Sequence, residues 1–146
     1  MAIDTSKIGK TYSPFTYEVG LEKIREYANA VGESNPVHHD RAAAREAGFR
    51  DVVAPPMFAV VYSAGAMGPA VLDPEVGINL MMMLHASQEF VWSEPVCAGD
   101  AITTRVEVKD MREQDGRQFF VFESVSTNQD GAETARGTWT NIVRGG

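Results

Sequence analysis

The sequence has 146 residues, which at roughly 100–200 residues per domain reads as a single domain, 1–146, able to bury a core without a disulfide or metal staple. Hydrophobic residues at 44% and charged residues at 23% exclude a disordered or fibrous chain. Thirteen Lys+Arg against twenty Asp+Glu leave a net charge of −7, the wrong sign for a nucleic-acid binder, and the lone Cys97 excludes an intrachain disulfide or a multi-cysteine metal site.

The opening MAIDTSKIGK lacks the apolar run of a signal peptide, which points to the cytoplasm. A short extended segment is expected around Tyr12–Phe15. Leu21, Ile24, Ala28 and Val31 then recur at helical spacing, so Leu21–Val31 reads as a helix stopped by Gly32. After a polar loop, Asp40 is placed to cap a short Ala-rich helix, Arg41–Ala47, that ends at Gly48. A second loop, Phe49–Pro55, leads into a stretch without charge from Ala54 to Leu72. Pro55, Pro56, Gly65, Gly68 and Pro69 punctuate that stretch, so it reads as the buried helix of a globular domain and not as a membrane span.

The second half changes period. A strand is expected over Leu80–Trp92, ending near Glu94-Pro95. Ile102, Thr104, Val106 and Val108 alternate with Thr103, Arg105, Glu107 and Lys109. Phe119, Val121 and Val125 alternate with Phe120, Phe122, Ser124 and Ser126, and Ala135, Gly137, Trp139 and Val143 share one face of a last strand. Asp115-Gly116 and Asp130-Gly131 are hairpin signals, because such turns need positive φ. The sum is an α+β chain: a four-strand antiparallel meander wrapped around one long buried helix. That is the hot-dog architecture, whose sheet edges pair across a dimer.

The residues most suited to chemistry lie in the loop Gly32-Glu33-Ser34-Asn35-Pro36-Val37-His38. An acid and a histidine held close by a proline-stiffened loop can share one water, one group taking a proton and the other giving one. The same residues equally make an ordinary turn, with Asn35-Pro36 shaping it, Glu33 solvated and His38 bonded to a backbone carbonyl. Among the other histidines, His39 followed by Asp40 does not make a metal site with His38, since adjacent side chains diverge and Asp40 serves as a cap. His85 reads as a packed strand residue, and Cys97 sits in a turn with no histidine near it in sequence.

The loop resembles the signature of the MaoC-like R-specific enoyl-CoA hydratase family, Gly-Asp-x-Asn-Pro-(aliphatic)-His. The order of helix, loop, short helix, buried helix and strands is similar over nearly the whole chain. Val53–Pro56 and Leu84–Gln88 are similar to segments of the small single-domain 3-hydroxyacyl-thioester dehydratase subunits. The resemblance implies His38 and Glu33 as the catalytic pair and Asn35 as the residue that shapes their loop. Glu33 stands where the family has aspartate. Pro56 stands where it has a glycine whose N–H polarises the thioester carbonyl, leaving the Met57 amide and the helix start for that task.

It implies R-specific hydration of trans-2-enoyl thioesters, or the reverse dehydration of (3R)-hydroxyacyl thioesters, with no cofactor. The substrate would be an acyl-CoA or acyl-acyl carrier protein, and the assembly a homodimer or a heterodimer with a related hot-dog subunit. Pro56, Met57, Phe58, Tyr62 and Ser63 are then the candidate substrate contacts at the buried helix, with Met81–Met83 a further lining. Arg41, Arg45 and Arg50 are placed to meet phosphates or an acidic carrier, although a solvated helix face also explains Arg41 and Arg45. The departures at Glu33 and Pro56 motivate a second reading, a non-catalytic acyl-binding subunit. A third is a hot-dog thioesterase.

Overall fold

The computed structural model of the protein describes residues 2–145. One five-stranded antiparallel sheet runs in the order β1 (Phe15–Glu18), β3 (Ala101–Gln114), β4 (Arg117–Thr127), β5 (Glu133–Arg144), β2 (Met83–Trp92). Helix α1 (Leu21–Ala30), the short α2 (Arg41–Glu46) and the apolar α3 (Ala59–Val71) complete the chain. This α+β arrangement is the expected hot-dog fold. Gly32, at φ +73°, and a bond from the Glu33 amide to Ala28 O (2.8 Å) end the first helix. The Asp40 carboxylate caps the second through the Ala43 amide at 2.7 Å.

The strand connections differ from a four-strand meander in two respects. β3, β4 and β5 are consecutive neighbours; β3 and β4 are joined at Asp115-Gly116 by a two-residue turn in which both residues have positive φ, and in the loop between β4 and β5 it is Gly131 that takes positive φ. β2, however, crosses the sheet to pair with β5 and not with β3. A fifth strand, β1, covers the far edge beside β3, beginning where the expected Tyr12–Phe15 segment ends. The residues Leu80–Met82, expected as strand, form a 3-10 turn capped by Asn79, whose side chain accepts from the Met81 amide at 3.2 Å. The local asparagine cap wins there because the strand pairing with β5 begins only at Met83.

The inward face of β4 is the one bearing Phe120, Phe122, Ser124 and Ser126, all buried. Its two serines are tolerated because each finds a partner: Ser126 Oγ lies 2.7 Å from Thr104 Oγ1, and Trp139 Nε1 donates to Ser124 Oγ at 2.8 Å. Helix α3 joins two core clusters. Its first half, with Ala59 and Tyr62, packs among Ile24, Val52, Phe58 and Ile102. Its second half, with Ala66, Met67 and Ala70, packs against Val106, Val108, Phe120 and Phe122. Thirteen residues give a length of about 20 Å, and among the described residues no helix is long and apolar enough to cross a membrane. β1 lies across α3 closely enough that a Cβ on Gly65 would sit 2.6 Å from the Phe15 ring.

Beyond the C-terminus of α3, Asp73 ties the helix to the N-terminal segment. Its Oδ2 accepts from Lys10 Nζ at 2.5 Å and from Tyr12 OH at 2.7 Å, and these bonds hold its carboxyl down at about 2. A carboxylate depressed by folding contributes stability above its ordinary pKa near 4 and loses it as pH falls toward the folded value. The melting temperature is therefore expected to fall between pH 4 and 2, and Asp73→Asn is expected to flatten that part of the profile, as read by thermal denaturation.

Candidate active site

The loop between α1 and α2 is built by side chains that bond their own backbone. Glu33 Oε1 accepts from the Asn35 amide at 3.0 Å, and Asn35 Oδ1 accepts from the Val37 amide at 3.2 Å. The His38 amide in turn donates to Asn35 O at 3.0 Å, closing a 3-10 turn over Pro36–His38. This turn is stitched to the segment before α3 by the Val53 amide on Val37 O (3.1 Å). That segment is stitched onward by the Ala54 amide on Val96 O (2.8 Å). Three segments distant in sequence thus form one wall.

His38 is 8% exposed, and its Nδ1 lies 2.7 Å from Val53 O. A carbonyl oxygen can only accept, so the neutral ring carries its proton on Nδ1 and keeps the Nε2 lone pair for another partner. The backbone-carbonyl bond of the ordinary-turn reading is therefore present, and it is also what a general base needs to fix its tautomer. The ring borders a cavity of about 540 Å³, within the range that accommodates small-molecule ligands. Asn35, Pro56 and Tyr62 line it with His38. Ala47 and Phe49 close the side after α2, residues 53–55 and 92–96 form the rest of the wall, and Thr134 of β5 lies beside Tyr62. The phenol of Tyr62 is pushed above its ordinary value by burial, against a smaller opposite effect of its bond with Thr134, which keeps it protonated and able to donate.

The other expected site residues are placed elsewhere. Glu33 is not in the cavity wall; its carboxylate faces its own loop at the Asn35 amide. Phe58 is fully buried in an aromatic cluster with Tyr17, Tyr27 and Tyr62, and Met57 points outward at 43% exposure. The Ser63 hydroxyl donates to Ala59 O within the helix. Arg41 pairs with Asp51 at 3.0 Å, Arg45 Nε reaches Arg50 O at 3.4 Å, and Arg50 pairs with the buried Asp100 at 2.8 Å. None of these seven residues nor Met81–Met83 lines the cavity, and Met81 is 91% exposed. His39 Nε2 donates to Glu33 O at 2.7 Å, and His85 stacks on Trp139 with centroids 5.7 Å apart. Cys97 is buried and its thiol is pushed up by that burial.

Sequence reasoning missed Trp92, Glu94 and Thr134 as wall residues. They meet because β2 crosses to β5: the Ser93 amide donates to Thr134 O at 3.0 Å and the Glu94 amide to Glu133 O at 3.1 Å. Trp92 Nε1 also donates to Pro56 O at 2.8 Å, tying the end of β2 to the start of the buried helix. The Glu94-Pro95 pair that marks the strand's end in sequence was the available signal; no spacing rule links it to Thr134.

Sheet, buried helix and histidine-bearing loop together define a hot-dog protein of the hydratase and dehydratase kind. The chain belongs to the family described as "FAS1-like, dehydratase domain region", which matches residues 6–136. A UPF0336 protein of Saccharopolyspora erythraea is 40% identical over 146 residues, covering 99% of this chain and 94% of its own. Among solved structures, a MaoC-like dehydratase superposes with a TM-score of 0.87 at 29% identity over 96% of this chain, which spans 43% of that longer chain. The C-terminally truncated HadBC (3R-hydroxyacyl-ACP dehydratase) complex from Mycobacterium tuberculosis gives a TM-score of 0.81 at 26% identity, with 93% of this chain and 96% of that one covered.

Proposed function

We propose that the chain catalyses R-specific hydration of trans-2-enoyl thioesters, or the reverse dehydration of (3R)-hydroxyacyl thioesters, in fatty acyl metabolism. The observation that carries this reading is His38: a buried imidazole whose Nδ1–H is held by Val53 O, bordering a largely apolar cavity of about 540 Å³. In the hydration direction Nε2 takes a proton from water as the water oxygen bonds to the β-carbon. The electron pair of the C=C bond moves toward the α-carbon and the thioester oxygen. The imidazolium then delivers its proton to the α-carbon, so one water adds and the thioester is restored. Glu33 acts in this conformation as a positioning residue, fixing through Asn35 the turn that presents His38.

The acyl tail follows the apolar wall of residues 53–56 and Phe49. Arg41 and Arg45 lie on α2, whose end leads into that wall, and with Arg50 they are assigned to the phosphates of coenzyme A or the acidic surface of a carrier protein. The outer edge of β2, with Leu84, Val91 and Trp92 exposed, is assigned to pairing with a second copy or a related hot-dog subunit.

Two observations favour the second reading, an acyl-binding subunit whose partner performs the chemistry. The Glu33 carboxylate is turned away from the cavity, and Pro56 has no N–H to offer a thioester oxygen. The purified chain, assayed alone with trans-2-butenoyl-CoA, separates the readings. Loss of the conjugated enoyl absorbance without release of free thiol is the result expected of a hydratase. A folded chain that binds the thioester without consuming it supports the acyl-binding reading, and free thiol supports a thioesterase.

A further inference from the structure

The cavity holds one polar pair that neither the loop nor the helix start accounts for. Tyr62 is 2% exposed, yet it lines the same cavity as His38. The Thr134 hydroxyl reaches two acceptors, Tyr62 Oη and Ser126 O, each at 3.3 Å. With Thr134 as donor, the phenol's own proton has no acceptor among the described residues. A buried hydroxyl proton without a partner is costly unless a ligand supplies one. Two N–H donors of this wall are already engaged: Trp92 Nε1 donates to Pro56 O, and His38 Nδ1 to Val53 O.

Hydration and dehydration both build negative charge on the thioester oxygen, and stabilising that charge calls for a fixed donor in a dry site. Position 56 supplies none, because proline carries no amide proton. We propose that the Tyr62 hydroxyl donates a hydrogen bond to the thioester carbonyl oxygen, with Thr134 holding the phenol in place. This rests on the thioester reading above and adds to it the group that polarises the substrate. Helix α3 and the start of β5 each fix one of these two neighbouring residues, so the donor is preorganised before substrate arrives.

Two measurements test it. In steady-state hydration of trans-2-butenoyl-CoA, Tyr62→Phe is expected to lower kcat by about 10²-fold, the loss that follows removal of one such donor, with little change in KM. Thr134→Val is expected to lower kcat by about 10-fold and Thr134→Ser to restore it, since only the serine retains a hydroxyl to position the phenol. The second measurement is the infrared carbonyl band of the 13C-carbonyl-labelled thioester, bound to His38→Ala so that it is not consumed. That band is expected at lower frequency than in the His38→Ala/Tyr62→Phe double variant.

A kcat for Tyr62→Phe within threefold of the unaltered protein, or an identical band in the two variants, overturns the assignment of Tyr62 while leaving His38 as base. A protein that binds the thioester without turnover overturns the hydration reading alone, and the band comparison then decides Tyr62 by itself. Failure of the unaltered protein to bind the thioester overturns both.

Discussion

Replacing His38 with alanine is expected to lower kcat for enoyl-thioester hydration by about 10³-fold, within the 10²–10⁴-fold that a positioned general base contributes. The fold should survive. The variant loses one hydrogen bond to Val53 O, a cost of roughly 1–2 kcal/mol including the carbonyl left without its partner. The wall itself is still held by the Val53 amide on Val37 O and the Ala54 amide on Val96 O. A circular dichroism spectrum matching the unaltered protein, together with the kinetic loss, would separate a chemical role from a structural one. Turnover within tenfold of the original would remove His38 from the mechanism.

The largest effect on stability is expected at Asp100, outside the cavity but directly behind its wall. This carboxylate is 1% exposed and accepts from the Cys97 amide at 2.9 Å, Arg50 Nη2 at 2.8 Å and Gln129 Nε2 at 3.0 Å. Burial alone would raise its pKa, but these bonds outweigh that and hold the carboxyl below its ordinary range. The ion pair itself contributes little, because the Arg50 side chain is largely exposed. The main cost of Asp100→Ala is the buried Cys97 amide left unpaired and the space left behind. Together these amount to about 3 kcal/mol, and at 2–4 °C per kcal/mol for a chain of this size the melting temperature should drop by roughly 6–12 °C. Since residues 96–98 carry the carbonyl and amide that hold the 52–54 segment, KM should rise as well. A melting temperature within 2 °C of the original would show that the cluster does not support this wall.

What the sequence disclosed was whatever is encoded locally. The helical spacing of Leu21, Ile24 and Ala28, the Asp40 cap and the Asp115-Gly116 turn each depend on residues within one turn of chain, and each is found where expected. The loop from Glu33 to His38 was legible for the same reason: its bonds span two or three residues. The crossing of β2 to the far edge was not, because Met83–Trp92 alternates in the same way whichever neighbour it pairs with. Thr134 and Glu94 were invisible as cavity residues for that reason; they reach the wall only through the β2–β5 pairing. Glu33 illustrates the opposite limit. Its spacing from His38 allows a shared water, yet the amide of Asn35, two residues away, is a nearer partner for its carboxylate than the cavity is.

The most direct test is to incubate the purified chain with trans-2-butenoyl-CoA in 2H2O and identify the product by chiral separation and mass. The expected product is (3R)-3-hydroxybutanoyl-CoA carrying one deuterium on the α-carbon, the signature of water added across the double bond. An unconsumed enoyl thioester from folded protein, the 3S product, or free acid would contradict the assignment of this cavity to R-specific hydration.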